Sequence, residues 1–129
     1  MTHTTAIWLI KLGGIASLGW LLFHAFFWRL FEWPTQLQRV SAVNRGVMQV
    51  LNLCLSFVFL LFAIISLWYA DTLLESAGLG RLLLAGMGAF WLLRLLEQPL
   101  FFGTSRVSHF FSLLFLLTSA CYLTPLALR

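Results

Sequence analysis

The sequence predicts an all-α integral membrane protein, a single bundle of four transmembrane helices over residues 1–129. Three observations carry that reading. The chain is 61% hydrophobic, 16% aromatic and only 9% charged, far from the balance of a soluble domain. It holds four apolar runs of the length, about 20 residues, that a helix needs to cross a bilayer core about 30 Å thick. The period-two alternation of a membrane barrel is absent. Because backbone groups in lipid must bond within their own segment, the four runs are helices.

The first span is predicted over residues 6–31. No Lys or Arg precedes the run, Lys11 interrupts it, and it outlasts the apolar core of a leader, so a cleaved signal peptide is not expected. Trp33-Pro34 should stop it, since the residue before a proline is pushed out of the helical region. The connection TQLQRVS then reads as a short interfacial helix, with Leu37 and Val40 toward lipid, lying across the end of the bundle. Ser41 is the expected N-cap of the second span, predicted over 47–70. The third span is predicted over 80–102 and the fourth over 107–126. Cys54 and Cys121, inside spans two and four, differ in depth by roughly 9 Å at 1.5 Å per residue. That exceeds disulfide reach, so both are expected to be free. No low-complexity tract or internal repeat is present.

The polar residues of the spans are not scattered. Arg45, Gln49 and Asn52 fall at i, i+4 and i+7 in span two, one face of a helix. With the N-terminus on side A, the chain ends span one on side B. His24 and Arg29 close span one. Arg45, Gln49 and Asn52 open span two, Arg94, Glu97 and Gln98 close span three, and His109 opens span four. All belong to the side B half, whereas the side A half is almost purely Leu, Ile, Phe, Ala, Gly and Ser. Polar groups in lipid are costly unless they face the bundle interior and find partners. Four helices contributing at similar depth predict one shared pocket. The candidate ligand-binding residues are therefore His24, Arg45, Gln49, Asn52, Trp91, Arg94, Glu97, Gln98 and His109. Arg45, Gln49 and Asn52 are expected to meet the others across the bundle.

Helical stripes agree with a bundle tight at side A and open at side B. Span one aligns Gly13, Ser17, Trp20 and His24. Span three aligns Trp91, Arg94, Gln98 and Phe101, and span four aligns Ser105, His109, Ser112 and Ser119. Small residues let neighbouring helices approach closely. The net charge of +4 speaks to topology and anionic lipid, and no nucleic-acid partner is expected. Arg29, Arg39, Arg45, Arg94 and Arg106 lie toward side B, against Lys11, Arg81 and Arg129 toward side A. On that count side B is cytoplasmic. The count holds only where the side B arginines belong to loops and not to the pocket.

The blocks FHAFFWRLFEWPTQL, NRGVMQVLN and FWLLRLLEQPLFFG together resemble a group of small bacterial four-span membrane proteins. That group carries comparable FFW-x-LF-x-W, N-R-x-x-M-Q-x-L-N and F-W-x-x-R blocks in the same order. The resemblance covers most of the chain and implies a four-span fold in a bacterial inner (cytoplasmic) membrane. It implies no activity and no catalytic residue. In size and architecture alone the chain also resembles DoxX-like four-helix proteins.

Several chemistries fit these residues poorly. Imidazole and carboxylate from His24, His109, Glu97 and Glu32 would suit zinc or iron, but no H-x-x-E-H, E-x-x-H or C-x-x-C spacing supports a metal. A haem between His24 and His109 would join groups at different depths. The serines lack a nucleophile-elbow setting and read as caps or helix contacts. A small proton-coupled transporter would want a mid-membrane carboxylate in span one, and Glu97, beside Arg94 at i, i+3, reads as a structural ion pair.

Two expectations lead. One is a pocket for an amphiphile, a lipid, isoprenoid or quinone, with Arg45 or Arg94 on its head group. Trp20, Phe27, Trp28, Trp33 and Trp91 would then clasp the tail. The other is a non-catalytic helper or assembly subunit, working as a homo-oligomer or beside a membrane protein partner. There the polar cluster would only hold the helices in register.

Overall fold

The computed structural model describes residues 1–128, which form helices and short connections with no strand. Arg129, one of the three side A cations, lies outside the described residues. Four of the helices are long and apolar enough to cross a membrane, and the fold is an all-α four-helix membrane bundle.

Helix α1 (His3–Ala25) opens at Thr2, whose hydroxyl accepts from the Thr5 N–H at 3.2 Å. It ends at Ala25, short of the predicted residue 31. After a break at Phe26 comes one helical turn, α2 (Phe27–Leu30). Glu32, at φ 47°, then reverses the chain in the left-handed region. The spanning helix thus stops eight residues before the Trp33-Pro34 expected to end it, and Trp33 and Pro34 instead open α3 (Trp33–Gln36). Proline suits a first helical turn because its missing N–H has no partner there anyway. A 3-10 turn, Leu37–Arg39, follows.

Of the two residues expected to face lipid, Val40 is exposed but Leu37 is not. Trp33 and Leu37 are only 7% and 4% exposed and turn into the bundle. One helical turn apart, they present a two-residue apolar face. The bundle end offers that face more apolar contact than the interface does, so it docks inward.

Helix α4 (Ala42–Trp68) starts at the Ser41 cap, whose hydroxyl accepts from the Asn44 N–H at 3.3 Å. The side A connection carries a further short helix, α5 (Ala70–Glu75), that buries Leu73 and Leu74. Helices α6 (Leu79–Phe102) and α7 (Arg106–Ala127) form a hairpin. It turns at Gly103, where φ 70° favours glycine, and Ser105 caps α7 by accepting from the Ser108 N–H at 3.1 Å.

Helix α1 packs on α4 and α7, and α6 packs on α7, with α5 tucked under α1 and α6. Only 22 to 33% of each spanning segment is buried within the chain, so most of the apolar surface is left for lipid. Trp68, Leu100 and Phe101, each more than 70% exposed, are typical of it.

At side A the helices are tied by hydroxyls. Tyr122 of α7, fully buried, meets Ser66 of α4 at 3.0 Å and Ser17 of α1 at 3.4 Å. Ser17 donates to its own helix at Gly13 O, and Ser119 donates across to Gly88 O on α6 at 2.8 Å. The glycines make this possible. A Cβ on Gly13 would sit 2.6 Å from the Tyr122 ring, and one on Gly88 would collide with the Leu123 side chain. Close approach by small residues together with hydrogen bonds is how helices associate where lipid removes the hydrophobic drive.

Candidate functional site

Each long helix contributes one aromatic ring to a layer across the bundle. Trp20 of α1 stacks on Phe115 of α7 with centroids 4.8 Å apart, and Phe59 of α4 stacks on Trp91 of α6 at 5.4 Å. The two stacks join through Trp91 and Phe115 at 5.9 Å. On the side A face of this layer lies the Tyr122 tie. Toward side B the helices part, and α4 meets α6 through Phe59, Phe62 and Phe90 instead of through close backbones.

The gap is a cavity of about 980 Å³ floored by the four rings. Phe23 and His24 supply the α1 wall, and Met48, Leu55 and Phe59 supply the α4 wall. Helix α6 adds Phe90, Leu93, Arg94, Glu97 and Gln98, while α7 adds Ser108 and Phe111. Phe27, Trp33, Gln36, Leu37 and Val40 of the first connection close the side B end. Ligand cavities run from roughly 300 to 1,000 Å³ and are mostly apolar with a few placed polar groups, and this one has that character.

Its polar groups are largely partnered. His24 Nδ1 lies 2.9 Å from Asn52 Oδ1, while Asn52 Nδ2 donates to the His24 backbone carbonyl at 3.3 Å. The second bond assigns the amide, so Oδ1 must accept and Nδ1 must carry the proton. Phe27 stacks on the imidazole at 4.2 Å and Phe59 meets it edge-on at 5.0 Å. Arg94 donates to Glu97 at 2.5 Å and lies over the Phe115 ring, 5.1 Å from its centroid. Gln98 donates to Ser108 Oγ at 3.3 Å. Gln98 Oε1 and the Gln36 amide make no hydrogen bond to a described residue, and two ring nitrogens are also left over. The Trp91 Nε1–H is buried with no acceptor, and His24 Nε2 makes no hydrogen bond to any described residue.

Of the nine residues expected at the site, His24, Trp91, Arg94, Glu97 and Gln98 lie in the cavity wall, and Asn52 is joined to it through His24. Arg45 and Gln49 are half-buried, outside the wall, and make no side-chain hydrogen bond among the described residues. His109 is exposed, and Ser108 takes the inward position beside it. Trp28 likewise faces outward, whereas Trp20, Phe27 and Trp33 line the cavity. Phe59 and Phe115, not singled out in the sequence, complete the floor. For Phe59 the signal is helical register with Asn52, seven residues before it; Phe115 lies seven residues after Ser108, which the sequence did not single out. Among the described residues no three His, Cys, Asp or Glu side chains converge as metal ligands, and both cysteines are free.

No protein-family model, curated protein or solved structure matches the chain. The site is therefore read from its own geometry.

Proposed function

We propose that this multi-pass membrane protein binds an amphiphile of the lipid, isoprenoid or quinone type in the side B cavity. The observation that carries the reading is the cavity itself. It has an aromatic floor, apolar walls and a polar group of His24, Arg94, Glu97 and Gln98, and it lies in the side B half of the bundle. A tail would lie against Phe23, Phe90 and Phe111, and a head group would reach the polar side chains. The sequence resemblance supports a bacterial inner membrane as the location.

Protein purified in mild detergent, extracted with organic solvent and analysed by mass spectrometry tests this. One amphiphile is expected at near one per chain, retained through detergent exchange and lost when Leu55→Trp and Leu93→Trp fill the cavity. A wild-type extract holding only the bulk membrane lipids, unchanged by the filling substitutions, would overturn the reading. It would favour the non-catalytic assembly role instead.

A further inference from the structure

The cavity polar groups define the head group more narrowly than its size does. Resting on the amphiphile reading, we infer that the ligand has a neutral head group bearing a hydroxyl, which donates a hydrogen bond to His24 Nε2.

The argument begins with Asn52. Its amide is used twice by one residue, and the pair of bonds permits only the tautomer with the proton on Nδ1. The ring sits between Phe27 and Phe59, and the one carboxylate in the cavity wall, Glu97, is held by Arg94. Charging an imidazole in such surroundings has no counter-ion to offset it. Nε2 is then a bare lone pair on the wall of a cavity inside a membrane, where an unmet acceptor is costly. A ligand N–H or O–H meets it, and an ether, ester or quinone carbonyl does not.

Charge makes the second half of the case. Arg94 and Glu97 are the charged residues of the wall, and they neutralise each other at 2.5 Å. Arg29, Arg39, Arg45 and Arg106 lie outside the wall. A phosphate head group would enter a site with no uncompensated cation and would set its oxygens against the Nε2 lone pair. An alcohol meets neither penalty. The class is therefore a long-chain alcohol, a diacylglycerol or a quinol, in preference to a phospholipid or an oxidised quinone.

Six probes test this on the full-length protein, stripped of lipid in detergent: dioleoylglycerol and farnesol, the methyl ether of each, and the phosphate monoester of each. Affinity is read by quenching of tryptophan fluorescence and by native mass spectrometry. At least one alcohol is expected to bind about tenfold more tightly than its own ether and its own phosphate, the equivalent of about 1.4 kcal/mol. In His24→Phe, which keeps an aromatic ring against Phe27, the alcohol and its ether are expected to bind equally. Equal binding of alcohol and ether by the wild type, or tightest binding of a phosphate, overturns the hydroxyl assignment and leaves the amphiphile reading standing. So does an alcohol preference that survives in His24→Phe. Failure of all six probes overturns both.

Discussion

Asn52 holds His24 at two points, through the ring nitrogen Nδ1 and through the backbone carbonyl of the same residue. One amide thereby joins α1 to α4 at the level where the bundle opens, and also decides which imidazole nitrogen faces away. The consequence is both structural and chemical. The same contact that fixes the two helices in register leaves Nε2 as the acceptor of a ring that lines the cavity.

Asn52→Leu should separate those two roles. Removing two bonds estimated at roughly 0.6 kcal/mol each in membranes should lower stability by about 1 kcal/mol. It should also free the imidazole to change tautomer, so head-group selectivity should fall by more than stability does. Thermal unfolding in detergent gives the first quantity and the alcohol-to-ether affinity ratio gives the second. An Asn52→Leu protein with undiminished selectivity would show that the tautomer is set by something else.

Arg94 and Glu97 form the one ion pair among the described residues, with side chains about one third exposed or less. Arg94→Leu leaves Glu97 unpaired in a membrane cavity and removes the guanidinium from the Phe115 ring. A cost of about 1 to 3 kcal/mol is expected, below that of a fully buried pair because of the partial exposure. Arg81→Leu, at an exposed site on α6, should cost less than about 0.5 kcal/mol. The double substitution Arg94→Leu with Glu97→Leu should recover most of the loss. Equal melting shifts for the two single variants would sink this account.

The four spans were legible because apolar length is a strong signal, and their edges moved mainly where an aromatic run continued past the real helix end at Ala25. The site was legible as a set of faces but less so as a set of depths. Arg45 shares its face with Asn52, yet seven residues carry it about 10 Å closer to side B. There α1 has already ended opposite Asn52, and no spanning helix remains for Arg45 to face. His109 misses the cavity by one residue of register, which Ser108 occupies. Trp33 and Leu37 fit a lipid-facing helix as well as an inward-facing one, and only the bundle end they cover decides between them. Gly13, Ser17 and Ser119 were legible as small-residue stripes, but their meeting with Tyr122, Ser66 and Gly88 was not. The members of this tie are one or two small or hydroxyl residues on each of four helices, and their meeting depends on the rotation of every helix about its axis.

That tie predicts a sensitive position far from the cavity. A Cβ at Gly13 would stand 2.6 Å from the Tyr122 ring, a contact that must displace either the ring or α1. Gly13→Ala should therefore destabilise by about 1 to 3 kcal/mol, the usual cost of overpacking, despite alanine's better helix propensity. Gly19→Ala, where the added methyl meets nothing, should be neutral or slightly stabilising. Comparing the two melting temperatures in one detergent checks it. If Gly13→Ala matches Gly19→Ala, the close approach of α1 and α7 is not as described.

The membrane orientation follows from where the arginines lie. Arg29, Arg39 and Arg106 are exposed and Arg45 is half-buried. None lines the cavity or forms an ion pair among the described residues, so all four count as flanking charge at side B. Only Glu32 opposes them there. Side A carries three cations, Lys11, Arg81 and Arg129, and the Lys11 ammonium stands 5.7 Å from the Trp8 ring of its own helix. Cationic residues near a helix end resist translocation and are favoured beside an anionic leaflet by about 1 kcal/mol each. Side B should therefore be cytoplasmic, and the cavity should lie in the inner-leaflet half of the membrane. In a Cys54→Ala, Cys121→Ala background, Ala77→Cys reports side A and Thr104→Cys reports side B, both at exposed positions. A membrane-impermeant maleimide added to intact cells or spheroplasts should label Ala77→Cys at once and Thr104→Cys only after lysis. Labelling of Thr104→Cys from outside would invert the topology and turn the cavity to the outer leaflet. In the expected orientation, replacing Arg39 and Arg106 together by alanine should yield a mixed population, because these two are half of the four flanking arginines that hold side B inside.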